Sequence, residues 1–150
     1  MTFWQQLPPG TIMMLGALLI PLLPRKMQGW SAILLPILSL MHLLMAFSDG
    51  FILNFSFMGN ELTPIRVDRL SLIFGYIFHI AAFMSALYAA KVDDPIQHLS
   101  SQVYAGAAIA AVFCGDLISL FVFWELTAIS SVFLIWASRT VEALHCGVRY

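Results

Sequence analysis

Apolar side chains come in long runs. Five stretches carry few or no charges, at about residues 9–23, 30–47, 70–90, 99–114 and 117–136, and an α-helix needs about 20 apolar residues to cross a bilayer. The first begins after Pro8 and Pro9 and stops at Pro24-Arg25-Lys26, where a proline and two charges end the apolar run. The second opens on Trp30, a residue suited to headgroup depth, and the third closes on the aromatic and basic pair Tyr88 and Lys91. The fourth, like the first, is short. The fifth follows the break at Gly115-Asp116 and ends before Arg139, and residues 143–150 look like the approach to a further span.

The stretch between the second and third runs has another period. Leu53, Phe55 and Phe57 alternate with Asn54, Ser56 and Met58, then come Gly59-Asn60 and a second extended run from Leu62 to Val67. That pattern predicts a short β-hairpin. An irregular loop with aromatics dipping into the membrane is the alternative. The expected fold is therefore an all-α integral membrane bundle of about five transmembrane helices in one domain over 1–150, with a hairpin between the second and third.

Composition agrees with this picture. The hydrophobic share is 61% and the charged share 10%, too little polar surface to solvate a globule of this length. A net charge of −1 provides no basic groove for a phosphate backbone, so nucleic acid is excluded as a partner. Cys114 and Cys146 have neither disulfide-framework nor metal-site spacing and read as packing residues. The first charged side chain, Arg25, follows the first apolar run, so that run reads as a retained span and not as a secretion signal. With the N-terminus outside, Arg25, Lys26, Lys91, Arg139 and Arg149 fall inside, against Arg66 and Arg69 outside. The positive-inside bias thus predicts N-outside and C-inside.

One charge stands inside a run. Glu125 lies eight residues past Leu117, about 12 Å along a helix, and a charged side chain at that depth costs about 2.5 kcal/mol or more. Such a residue is a functional candidate by default, here a group that takes up and releases a proton; the alternative is a neutral acid bonding between helices. On a helical wheel Leu117, Phe121, Ile129 and Val132 share its face, while Asp116, Thr127, Ser130 and Ser131 fall on the other. No run carries an interior lysine or arginine, so a cationic partner must come from elsewhere. Within the chain the nearest candidate is His79 in the third run, as a proton relay or as an interhelical hydrogen-bonding group. His42 in the second run favours the structural role more strongly. Asp116 and Asp68 directly precede the fifth and third runs, where a carboxylate caps free amides and favours the helix dipole. Asp116 and Glu125 are nine residues apart, about 13.5 Å on a helix, too far to act as an acid pair on one bond. Phe121, Phe123, Trp124 and Phe133 point in several directions, as lipid contact and helix packing require. Phosphate loops, nucleophile elbows and metal-ligand motifs are all missing from the sequence, so no catalytic site, cofactor or metal is expected.

Gly115-Asp116-Leu117, then Leu120-Phe121-Val122-Phe123-Trp124-Glu125-Leu126, then Ser130, Ser131 and Leu134-Ile135, resembles the fifth-helix signature of antiporter-like membrane subunits. These are the large subunits shared by respiratory complex I, membrane-bound hydrogenases and Mrp-type sodium/proton antiporters. Val67-Asp68-Arg69-Leu70-Ser71, with the hairpin before it and Leu87-Tyr88 after it, is similar to their third-helix region, and Arg149-Tyr150 to the opening of their next helix. Within that family the likeness is nearest to the D-type member of Mrp antiporters. The resemblance implies proton or sodium/proton translocation in a multisubunit assembly of a bacterial or archaeal inner membrane. It implies a glutamate at the position of Glu125 pairing with a lysine two helices later. That lysine is absent from this sequence, so the expected partner is another membrane segment that supplies it. The chain would then be a fragment, a split-gene product or a remnant, or else a non-transporting structural or assembly subunit. Any NADH:quinone oxidoreductase or hydrogenase activity would belong to the whole complex.

Overall fold

The computed structural model describes residues 3–57 and 59–149. Met58, in the expected strand alternation, and Tyr150, in the expected final helix, lie outside the described residues. The chain forms α1 (Phe3–Gln6), α2 (Thr11–Ala17), α3 (Arg25–Ala46), β1 (Ile52–Phe57), β2 (Asn60–Arg66), α4 (Arg69–Tyr88), α5 (Pro95–Val112), α6 (Leu117–Trp136) and α7 (Val141–Arg149). Short 3-10 turns follow α2 at Ile20–Leu22 and α4 at Ala89–Lys91. The described residues are mostly helical, with one two-stranded antiparallel sheet among them. Among the described residues three helices are long and apolar enough to cross a membrane: α3, α4 with its 3-10 extension to Lys91, and α6.

The first run is not one continuous helix. Pro21 has no amide to give the carbonyl of Ala17, and the chain tightens into 3-10 bonds, Leu22 N to Leu19 O and Leu23 N to Ile20 O. Thr11 to Leu22 is a 12-residue apolar stretch, about 18 Å of helix against a hydrocarbon core of about 30 Å. Met13, Ala17 and Ile20 are fully buried while Leu15, Leu18, Leu19 and Leu22 are exposed, so one face of this segment packs on other helices and the other is left uncovered.

The second helix starts earlier than expected. Extended Pro24 occupies the N-cap of α3 and the helix begins at Arg25, five residues ahead of Trp30. Within it Pro36, fully buried, cannot donate to the carbonyl of Ala32. The side-chain amide of Gln102 on α5 donates to that carbonyl instead, at 3.0 Å.

The fourth helix also starts early. Asp94 accepts from the amide of Ile96 at 3.0 Å and Pro95 takes the first helical position, a start signal lying just before the apolar run. Its polar His98, Ser100 and Gln102 are buried. α2, α3, α4 and α6 all lie against α5, and this central place lets a helix of modest hydropathy sit inside the bundle. α6 matches the expected 117–136 and sits at the edge, with Ser130 its one buried residue. Residues 141–149 form the short α7, where Gly147 lies on the indole of Trp136 with no room for a Cβ.

The hairpin is present, with Ile52 opposite Arg66 and Leu53 opposite Ile65. Phe57 pairs with Asn60, so Asn60 opens β2 instead of sitting in the turn, and Gly59 supplies the left-handed φ of 82°. The register slips between Leu53–Ile65 and Phe55–Leu62, so that Thr63 and Pro64 face the single residue Asn54. This bulge occurs where Pro64 offers no ladder amide. Ile65 and Val67 are buried at the end of the core that also holds Phe47 and Phe113.

Candidate functional site

α6 carries Glu125 on the side turned away from the bundle. The residue is exposed, as are Leu117, Phe121 and Ile129 of the same face, while Val132 is half-buried. Among the described residues Glu125 has no hydrogen-bond or ion-pair partner. The hydroxyls of α6 turn inward along their own helix: Thr127 donates to the Phe123 carbonyl at 2.9 Å and Ser130 to the Leu126 carbonyl at 2.8 Å. The helix offers its acid nothing, as the wheel predicts.

His79 points elsewhere. It is 1% exposed, with Nδ1 donating to the Gly75 carbonyl at 2.7 Å and Nε2 accepting from the Ser39 hydroxyl of α3 at 2.9 Å. The Gly75 bond selects the tautomer, since a carbonyl can only accept. Both ring nitrogens are thus engaged between α3 and α4, and the structure does not bring His79 and Glu125 together. His42, also buried, donates from Nε2 to the Trp4 carbonyl at 2.8 Å and packs edge-on against Phe47.

Asp116 does more than cap. Its Oδ1 accepts from the Ser119 amide at 2.8 Å, and its Oδ2 from the Ser119 hydroxyl at 2.9 Å and the Thr63 amide at 2.8 Å. Thr63 is the bulged residue of β2, so the amide released from the ladder is the one Asp116 takes. The Gly115 amide donates to the Thr63 carbonyl at 2.9 Å and the Arg66 amide to the Phe113 carbonyl at 2.7 Å. Together these bonds latch the hairpin to the α5–α6 connection. Burial pushes the Asp116 carboxyl up, but the amide and hydroxyl of Ser119 and the amides of Thr63 and Ile118 outweigh it and hold the group below the usual carboxylate range.

Asp68 closes a capping box on α4. Its Oδ1 accepts from the Ser71 amide at 2.8 Å while the Ser71 hydroxyl accepts from the Asp68 amide at 2.9 Å. The Ser71 amide, opposed by slight desolvation and helped by Arg66 at 3.3 Å, keeps this carboxyl below its ordinary value as well. Asp68 and Asp116 therefore serve helix starts at the hairpin end, and neither lies on the face of Glu125.

Two features escape a reading of the sequence alone: the Gln102 bond to Ala32, and buried His98, whose Nε2 donates to the Val92 carbonyl at 2.8 Å. Pro36 inside an apolar run is the available signal for the first, because an internal proline always strands a carbonyl one turn back. Among the described residues no group of acidic, histidine and cysteine side chains could hold a metal ion. No protein-family model, curated protein or solved structure matches the chain.

Proposed function

We propose that the chain is the N-terminal helical bundle of an antiporter-like membrane subunit, crossing the bilayer five times. In this reading it contributes Glu125 to a proton or sodium/proton path completed by a lysine on another membrane segment. The observation that carries the proposal is the outward placement of Glu125: a carboxyl without a partner on the exposed face of a 20-residue apolar helix. Facing lipid, that group costs about 2.5 kcal/mol or more. A protein segment with a cation opposite it removes the cost and supplies a pair whose charge can be switched.

The antiparallel succession of helices supports the orientation. α1 bonds to the end of α3 nearest the hairpin; Arg25, Lys26 and Lys91 line one cavity at the other end, where Arg139 pairs with Asp94 at the start of α5, and the positive-inside bias makes that end cytoplasmic in this reading. His79, bonded on both nitrogens, would relay protons only by exchanging Ser39 for water, and its first role in this reading is to tie α3 to α4.

The test is ion transport in everted vesicles carrying the assembled complex. Glu125→Gln should abolish most transport and Glu125→Asp should keep part of it. Unchanged transport by the glutamine variant sinks the proposal and leaves a structural or assembly role, in which the acid is a permanently protonated anchor with a carboxyl infrared band that does not respond to pH.

A further inference from the structure

At the end of the bundle opposite the hairpin, the start of α3 and the end of α4 line an open cavity of about 730 Å³. Gly29 permits this approach, because its missing side chain lets α3 lie directly on the carbonyl of Ala90 in the 3-10 turn. Lys91 is thereby brought beside Arg25 and Lys26, and all three line the cavity with Trp30, Tyr88 and Asp93. Among the described residues none of the three cations has an ion-pair partner, and Asp93 alone leaves the site positive. The other nearby acid, Asp94, is already engaged with Arg139 at 3.0 Å.

Two of the cations stand in the wrong place for the helix that carries them. Arg25 and Lys26 occupy the first turn of α3, which has no acid and no side-chain cap at Pro24. Basic side chains there oppose the positive end of the helix dipole, and an anion seated among them relieves both. Trp30 and Tyr88 are 76% and 94% exposed, the aromatic pair of a headgroup belt. Below them Ile33 and Leu87 continue the cavity wall between two membrane-length helices, where an acyl chain can run.

We infer that this cavity binds the phosphate of an anionic phospholipid, with the headgroup among Arg25, Lys26 and Lys91 and the chains descending along Ile33 and Leu87. The inference rests on α3 and α4 crossing a membrane and not on the transport role of Glu125, so either can fail alone. A basic side chain near an anionic lipid surface contributes about fivefold in affinity, so removing three should cost on the order of a hundredfold.

The experiment is native mass spectrometry of the purified full chain released from nanodiscs of mixed phosphatidylglycerol and phosphatidylcholine. The wild type should retain phosphatidylglycerol selectively. The triple variant R25Q/K26Q/K91Q should lose that retention while R66Q/R69Q, at the opposite end, keeps it. The charge-conserving R25K/K91R should also keep it, which separates lost binding from lost folding. Equal retention of the two lipids, or retention unchanged in the triple variant, overturns the inference. So does displacement of phosphatidylglycerol by millimolar inorganic phosphate, which would assign the cavity to a free anion.

Discussion

Gln102→Met removes the donor that serves the carbonyl of Ala32 while keeping the length of the side chain. That carbonyl is stranded because Pro36 has no amide, and the Gln102 bond of 3.0 Å is its substitute. A buried carbonyl without a donor costs about 1–3 kcal/mol in a protein interior. Between membrane helices the measured average for such bonds is nearer 0.6 kcal/mol, with a maximum of about 1.7, because the unassembled helices also find partners. The Oε1 atom of Gln102 is itself buried without a donor, so its removal returns part of the loss. The expected cost of Gln102→Met is therefore about 1 kcal/mol. Pro36→Ala supplies the missing amide from within α3, and in that background Gln102→Met should cost almost nothing. The double-mutant cycle cancels the cavity left by Pro36 and reads the coupling alone. Unfolding of the four variants in mixed micelles, followed by far-ultraviolet circular dichroism, measures it. A cost for Gln102→Met that is the same in both backgrounds within about 0.3 kcal/mol refutes the assignment of Gln102 to the stranded carbonyl.

Other expectations concern the hairpin latch and the closest helix contacts. Asp116→Ala should raise amide hydrogen exchange at Thr63 and Gly115 while leaving the middle of α3 protected, and a uniform rise along the chain would count against a local latch. Both Asp68 and Asp116 have carboxyls held below the ordinary range, so their contribution is present above the unfolded value of about 3.9 and is lost as pH falls through the lower folded values. Protection at the hairpin end, taken relative to the intrinsic exchange rate at each pH, should accordingly fall below about pH 4, earlier than in the helices, and in Asp116→Asn that pH dependence should shrink. Gly106→Val places a side chain against the carbonyl of Gly10, 2.8 Å from the first added carbon. A loss of about 1–3 kcal/mol is expected, and micelle unfolding indistinguishable from wild type would show that α2 and α5 can separate freely. His79→Leu leaves the Ser39 hydroxyl without its buried acceptor and should cost about 1–3 kcal/mol, read as a lower unfolding midpoint in the same micelles.

The helix that proved least legible was α5. Its polar His98, Ser100 and Gln102 weaken the apolar run and moved the expected start to 99, although Asp94-Pro95 marks the true start. The sequence pattern takes polarity as exposure, whereas here it records contact with other helices. The first run shows the converse. It reads as a continuous apolar span, yet Pro21 breaks its bonding and only a short helix results. The hairpin was visible from its alternation, but the bulge at Thr63 and Pro64 was not, because register depends on the partner strand.

The bounds of α6 were legible in full, as were the capping aspartates, because each follows from local rules: helical period, hydrophobic length and the amides a helix start leaves free. Local rules also determine that Glu125 has no partner on its own helix. Only the tertiary structure decides that α6 lies at the edge of the bundle with Glu125 turned outward, that His79 is spent between α3 and α4, and that Asp116 holds a hairpin strand as well as a helix. The physical reason is the same in each case. Which face of a helix is covered depends on residues distant in the chain, and a stranded carbonyl or released amide selects its partner in space.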